Sequence, residues 1–282
     1  MRLSSKLARY LTAHWRGGIF LGAAILIVMS SHTLERMLVY YPTRDVLDDP
    51  ARIGLAFQDV FITTGDGVRL HGWFIPFAGA RQTVLILHGN AGNIGHRVPW
   101  LGMLYGLRVN LLIVDYRGYG RSGGRPFEKG LYEDAVGTYL WWARNRSGSD
   151  QQLVLLGESL GGAVAVDLAA RVRVDGLILQ STFTSAWDMA KTILPLGLLQ
   201  PLIRVKFDSE SKIRQITCPK LILHGSRDDI VPLRLGKRLY DAAMPPKDFC
   251  EFPLAGHNDL VWTAGPEYLE RISEFLRAVE SR

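Results

Sequence analysis

Five residues, Gly157-Glu158-Ser159-Leu160-Gly161, lie between the apolar run Leu153 to Leu156, which reads as a buried strand, and the breaker-free run Gly162 to Ala170, rich in Ala, Val and Leu, which reads as a helix. A serine in that pattern sits on a sharp strand-to-helix turn that lifts its hydroxyl clear of the sheet edge, and the flanking glycines let strand and helix pack closely. Ser159 is the candidate nucleophile. A serine hydroxyl is a weak nucleophile at neutral pH, so the chemistry also needs a base, a carboxylate to orient that base, and donors for an oxyanion. Gly256-His257-Asn258-Asp259 follows the strand-like stretch Phe249 to Leu254 and supplies His257 as the candidate base. The short apolar stretch Lys220 to His224 opens into Gly225-Ser226-Arg227-Asp228-Asp229, so Asp228 or Asp229 is the third member. Asp228 is preferred, because Ser, Asp and His then follow the chain order of one particular fold. Asp229 otherwise reads as a solvated turn carboxylate.

Charge develops on the carbonyl oxygen in the tetrahedral intermediate, and losing one donor to it typically costs about 2.7 to 4 kcal/mol. The Leu160 backbone N–H, directly after the nucleophile, is one candidate donor. The second is expected from the loop after the third strand, Thr83 to Leu87, which runs into His88-Gly89-Asn90-Ala91-Gly92-Asn93; Asn90 is the preferred donor, with Ala91 behind it. His88 and His224 each precede a glycine at a strand end and read as turn residues. There is no H-E-x-x-H, no clustered Cys/His pair and no P-loop or dinucleotide spacing, so neither a metal nor a cofactor is expected.

The elements that must position these residues are readable from hydrophobic pattern. Strand-like runs at 83–87, 111–114, 153–156, 176–179, 220–223 and 249–254 alternate with helix-like stretches at 97–107, 126–145, 160–171, 233–243 and 265–280. Such alternation predicts βαβ units and a mainly parallel sheet with helices on both faces. Phe57 to Thr63 and Arg69 to Ile75 flank Thr64-Gly65-Asp66-Gly67, a hairpin signal, and are expected to supply an antiparallel edge.

His88 to Asn93, Asp115-Tyr116-Arg117-Gly118-Tyr119-Gly120-Arg121-Ser122, Gly157 to Gly162, the turn at Asp228 and Gly256 to Asp259 occur in the order and spacing of the α/β-hydrolases. The chain resembles that superfamily from roughly residue 55 to its end, and within it the small membrane-anchored branch that includes a yeast bud-emergence homologue and protein depalmitoylase-like enzymes. The resemblance implies an α/β-hydrolase fold over 55–282, with the insertion 183–216 forming a small helical cap over the site. It also implies that the Asp115–Gly124 segment is scaffold, with Tyr116 at most a pocket wall. The apolar centre of the insertion, Ile193 to Val205, reads equally as an acyl-chain cover or as packing on the sheet.

Length and composition fit this reading: 282 residues with 48% hydrophobic content suit one catalytic domain with a large core and an anchor. Residues 17–34 contain no charged side chain, about the minimum for a bilayer-spanning helix. Residues 1–16 contain Arg2, Lys6, Arg9 and Arg16 and no acid, whereas acids dilute the basic residues after Leu34. The positive-inside rule then predicts a single-pass signal-anchor with a cytoplasmic N-terminus and a periplasmic, lumenal or extracellular catalytic domain. A cleaved signal peptide ending near Val28-Met29-Ser30 is the alternative. Four of the six net positive charges lie in residues 1–16, so the nearly balanced body is not expected to bind nucleic acid. Cys218 and Cys250 precede or enter neighbouring strands; they read as two buried thiols, with a disulfide as the alternative.

These readings converge on a membrane-anchored serine hydrolase, of esterase, lipase or acyl-thioesterase type, that cleaves acyl esters or thioesters through an acyl-enzyme on Ser159. Lipids or S-acylated proteins are the expected substrates. The alternatives are a serine peptidase or amidase, and a non-enzymatic ligand-binding protein on the same scaffold.

Overall fold

The computed structural model describes residues 36–146, 148, 150–193 and 204–282. The predicted anchor at 17–34 and most of the apolar centre of the insertion lie outside the described residues. Among the described residues no helix is long and apolar enough to cross a membrane.

Eight strands form one sheet: β1 (Gln58–Thr63), β2 (Arg69–Ile75), β3 (Gln82–Leu87), β4 (Asn110–Val114), β5 (Gln152–Glu158), β6 (Gly176–Gln180), β7 (Lys220–Gly225) and β8 (Lys247–Phe252). Their spatial order is β8-β7-β6-β5-β3-β4-β2-β1. β2 runs antiparallel to both β1 and β4. All the other pairings are parallel. The expected antiparallel edge is therefore a single reversed strand, after which β1 returns to the common direction.

β3, β4, β6 and β7 are buried at every residue, as a parallel sheet covered on both faces requires. Side chains alternate between two cores. Leu85, Leu87, Leu112, Leu153 and Leu155 face α2 (Glu128–Asn145) and α3 (Leu160–Arg171). Val84, Ile86, Leu111, Ile113 and Val154 face α1 (Val98–Tyr105) and α8 (Pro266–Glu280). Each fully buried aliphatic side chain stabilises by about 1.5–3 kcal/mol relative to exposure, and a one-residue slip of any strand would swap the faces.

The Asp115–Gly124 corner after β4 is fixed by charge. Arg117 donates to Asp134 of α2 at 2.8 Å and to both oxygens of Asp66, in the β1–β2 turn, at 2.7 and 3.0 Å. The insertion after β6 contains α4 (Ala186–Ile193) and α5 (Ser209–Ile213), and the Lys206 and Phe207 amides both donate to the Glu128 carboxylate at the start of α2. α6 (Leu233–Ala242) links β7 to β8, and the short α7 (Leu260–Ala264) precedes α8.

Cys218 and Cys250 are free thiols. β7 and β8 are neighbours, but Cys250 pairs with Leu223, so the two cysteines are about 16 Å apart along the strands, beyond disulfide reach.

Candidate active site

β5 ends at Glu158 and α3 begins at Leu160, leaving Ser159 alone on the turn. Its backbone has φ 52° and ψ −114°, a left-handed conformation that costs a non-glycine residue about 1–3 kcal/mol. Neighbouring bonds over-determine the turn. The Ser159 N–H donates to the Gln180 carbonyl at 2.9 Å, and the Ser159 carbonyl accepts from the Gly162 N–H at 2.9 Å and the Thr182 hydroxyl at 2.7 Å. A Cβ at Gly161 would overlap the Leu87 carbonyl oxygen, so glycine there lets the first turn of α3 lie against the end of β3. The His88 carbonyl oxygen also lies close to that position, so the first turn of α3 lies against the strand end from which the loop holding Asn90 departs.

The acid and base come from the loops after β7 and β8, and those loops are tied to each other: the Ser226 and Arg227 amides donate to the carbonyls of Phe252 and Ala255, each at 2.9 Å. His257 Nδ1 lies 2.8 Å from Asp228 Oδ2, and His257 Nε2 lies 3.1 Å from Ser159 Oγ. Asp229 is exposed, whereas the Asp228 side chain is fully buried against His257. Burial pushes the Asp228 carboxyl up, but bonds from His224 and His257, with the Val231 amide, outweigh it and hold the group at about 2. An ionised Asp228 fixes the proton on His257 Nδ1, leaving Nε2 as the acceptor for the Ser159 O–H.

The loop after β3 is anchored from several sides. Glu158 accepts from the Gly89 N–H and from Arg97 Nε, each at 3.1 Å. The Tyr116 hydroxyl donates to the His88 carbonyl at 2.9 Å, and the Tyr119 hydroxyl to the Asn90 carbonyl at 2.8 Å. Asn90 Nδ2 donates to the Val39 carbonyl at 3.0 Å. Ala91 lies in a two-residue parallel ladder, Tyr41–Pro42 on Ala91–Gly92. Tyr116 is fully buried, a brace behind this loop and not a pocket wall.

A hydroxyl on a strained turn, an imidazole acceptor within hydrogen-bond distance and a buried carboxylate behind it form an arrangement that can carry out acyl transfer. Ser159, His257 and Asp228 are brought together, and the Asn90 loop lies against the turn that holds Leu160. Sequence reasoning gave His224 no part, yet its Nε2 lies 3.4 Å from Asp228 Oδ2. It also passed over Glu158, whose one signal is an acid at the end of an otherwise apolar strand, and the segment 39–45, which has none.

A family profile described as the alpha/beta hydrolase fold matches residues 82–204. The α/β-hydrolase domain-containing protein WAV2 of Arabidopsis thaliana is 35% identical, over 92% of this chain and 92% of that protein. A membrane protein of Saccharomyces cerevisiae is 34% identical, over 92% of this chain and 94% of its own length. Among solved structures, the Pyrococcus furiosus esterase Pf2001 aligns with a TM-score of 0.72 at 24% identity, over 84% of this chain and 98% of that one.

Proposed function

Because the chain belongs to the α/β-hydrolase family, we propose that it is a membrane-anchored serine hydrolase cleaving carboxylic ester or thioester bonds through an acyl-enzyme on Ser159. The observation that carries this reading is the continuous hydrogen-bonded line from the Ser159 hydroxyl through His257 to the buried Asp228 carboxylate. As Ser159 Oγ attacks the acyl carbon, its proton passes to His257 Nε2, and the imidazolium is stabilised by Asp228. The carbonyl oxygen becomes an oxyanion, for which the Leu160 and Asn90 amides are the donors. His257 returns the proton to the departing alcohol or thiol, leaving the acyl group on Ser159. Water then repeats the sequence: His257 takes its proton, the carboxylic acid leaves, and Ser159 is regenerated.

Ester or thioester chemistry is favoured by the esterase whose fold the chain shares. Membrane anchoring is favoured by the uncharged stretch 17–34 and by the similar yeast membrane protein. With the basic residues before that stretch, the N-terminus is cytoplasmic and the hydrolase faces the other side.

The test is labelling of washed membranes with a fluorophosphonate probe. The native protein should be labelled and Ser159→Ala should not. A native protein that stays unlabelled while folded would overturn the reading.

A further inference from the structure

The described chain begins at Arg36, two residues after the uncharged stretch 17–34, and pairs at once with the loop that holds Asn90. A helical turn over 36–39 is closed by the Tyr40 N–H on the Arg36 carbonyl at 3.1 Å. The Val39 carbonyl accepts from Asn90 Nδ2, and the Tyr41 N–H donates to the Asn90 carbonyl at 2.9 Å. The Thr43 N–H then donates to the Gly92 carbonyl at 3.0 Å, and Asn93 Nδ2 holds the Asp45 carbonyl at 2.8 Å. The segment entering the domain and the loop that presents Asn90 are thus one hydrogen-bonded unit. In sequence, Tyr41 is only seven residues after Leu34, the last of the uncharged stretch.

Large apolar side chains stand exposed on this entering segment and on or beside the loops that carry Asp228 and His257. Met37 is 68% and Leu38 63% exposed, and Tyr41 is exposed beside them. Ile230, exposed, is two residues from Asp228, and Leu254 and the 56% exposed Trp262 flank His257 in sequence. Ile230, Leu254 and Trp262 all follow C-terminal strand ends, the end of the sheet at which Ser159 sits. Aliphatic side chains and Trp in such a position suit the boundary between headgroups and acyl chains.

We propose that these side chains rest on the lipid bilayer, and that the site takes its acyl substrate from the bilayer and not from water. The occupant is a lipid surface because the described chain, which begins two residues after the uncharged stretch 17–34, pairs with the Asn90 loop within its first six residues. The proposal rests on the anchored-hydrolase reading and adds an orientation that an anchor alone does not impose.

The experiment uses the full chain in phosphatidylcholine vesicles and two fluorogenic esters, one short-chain and water-soluble, the other a palmitoyl ester held in the bilayer. In the triple variant Met37→Ser, Leu38→Ser, Trp262→Ser, kcat/KM on the bilayer ester should fall by about tenfold or more, with the soluble ester changed by less than about twofold. An unchanged bilayer rate overturns the proposal, and so does an equal fall on both esters, which would assign these residues to the site or the fold. A second measurement is independent of turnover. Brominated phosphatidylcholine should quench the native protein more than Trp262→Phe, and equal quenching overturns the docking. If neither ester is hydrolysed but the quenching difference is present, the hydrolase reading fails and the docking stands.

Discussion

Two buried aspartate–histidine pairs stand at the C-terminal ends of parallel strands, and they have opposite electrostatic fates. Asp228, after β7, has a fully buried side chain with His257 at 2.8 Å and His224 at 3.4 Å. Asp115, after β4, also has a fully buried side chain, with His88 Nε2 at 3.6 Å. Asp228 Oδ1 accepts from the Ile230 and Val231 amides at 3.0 and 2.6 Å, and Oδ2 from His257. Asp115 Oδ1 accepts from the Ile94 amide at 3.0 Å, while Oδ2 and His88 Nε2 have no hydrogen-bond partner among the described residues. Burial, weakly opposed, raises Asp115 to about 7, and burial, reinforced by the charge of Arg97, lowers His88 to about 3. Donor number, with the slightly deeper burial of Asp115, decides which carboxylate can serve as a charge.

The sharpest break of that comparison is the same isosteric change at both sites. Asp228→Asn should lower kcat on a soluble ester by about 10⁴, because an amide neither carries the charge nor holds the His257 tautomer. Assayed below pH 7, where a carboxyl raised to about 7 is largely uncharged, Asp115→Asn should keep kcat within about threefold of the native value at the same pH, since an uncharged carboxyl is replaced by an uncharged amide. Comparable losses at the two sites would show that the second pair also acts as a charge.

The pairs differ next in how stability follows pH. The depressed Asp228 contributes stability that is present above pH 3.8 and lost as pH falls through 2, on the order of 2 kcal/mol. The raised Asp115 works in the other direction: its contribution is present below pH 3.8 and lost as pH rises through 7, on the order of 4 kcal/mol. The depressed His88 contributes above pH 6.5 and loses that contribution as pH falls through 3. Between pH 3.8 and 6.5, therefore, Asp115 and His88 oppose each other and the native protein shows little slope from this pair. Asp115→Asn should unmask His88 and lose about 1.4 kcal/mol per pH unit on acidification across that window, read by urea unfolding in mild detergent. Parallel profiles for native protein and variant would mean that Asp115 is ionised in the fold.

The comparison also marks what sequence could and could not convey. The strands β3 to β7 are legible because they are apolar runs bounded by turn residues, whereas β8, with Lys247, Asp248 and Glu251 among its six residues, starts two residues before the 249–254 run that sequence suggests. Ser159, His257 and Asp228 each sit in a local pattern that long-range folding only had to bring together. Asp228 and Asp229 are adjacent and chemically identical, so nothing local separates them; the difference is which one turns toward the Ile230 and Val231 amides. His88 and His224 look alike in sequence, each a histidine before a glycine at a strand end. One faces a carboxyl raised by burial and the other a carboxyl held ionised by its donors, a distinction that neither histidine's own neighbours in sequence reveal. The Tyr41–Pro42 ladder is too short to have a period, and α5 and α7, at five residues each, are too short to show a helical face. The register of β8, which separates Cys250 from Cys218, is likewise a property of pairing and not of either strand.

The smallest effect expected is at His224, the donor that distinguishes the Asp228 site from a simple dyad. With its Nε2 at 2.9 Å from the Val231 carbonyl and 3.4 Å from Asp228 Oδ2, His224 supports the carboxylate from the side of β7. α6 keeps the ring in place: a Cβ at Gly236 would overlap His224 Nδ1, so the helix packs directly on the imidazole. A hydrogen bond to a charged group is worth about 1.5 kcal/mol, so His224→Leu should lower kcat about tenfold, and His224→Gln, which retains an N–H donor, should recover most of it. The loss is small beside that of Asp228→Asn because the Ile230 and Val231 amides and His257 remain, which still leaves Asp228 with more donors than Asp115 has. Full activity in His224→Leu would mean that those three donors suffice and that His224 is packing alone. A loss as large as that of Asp228→Asn would mean that the carboxylate stands closer to the raised carboxyl of Asp115 than its donor count implies.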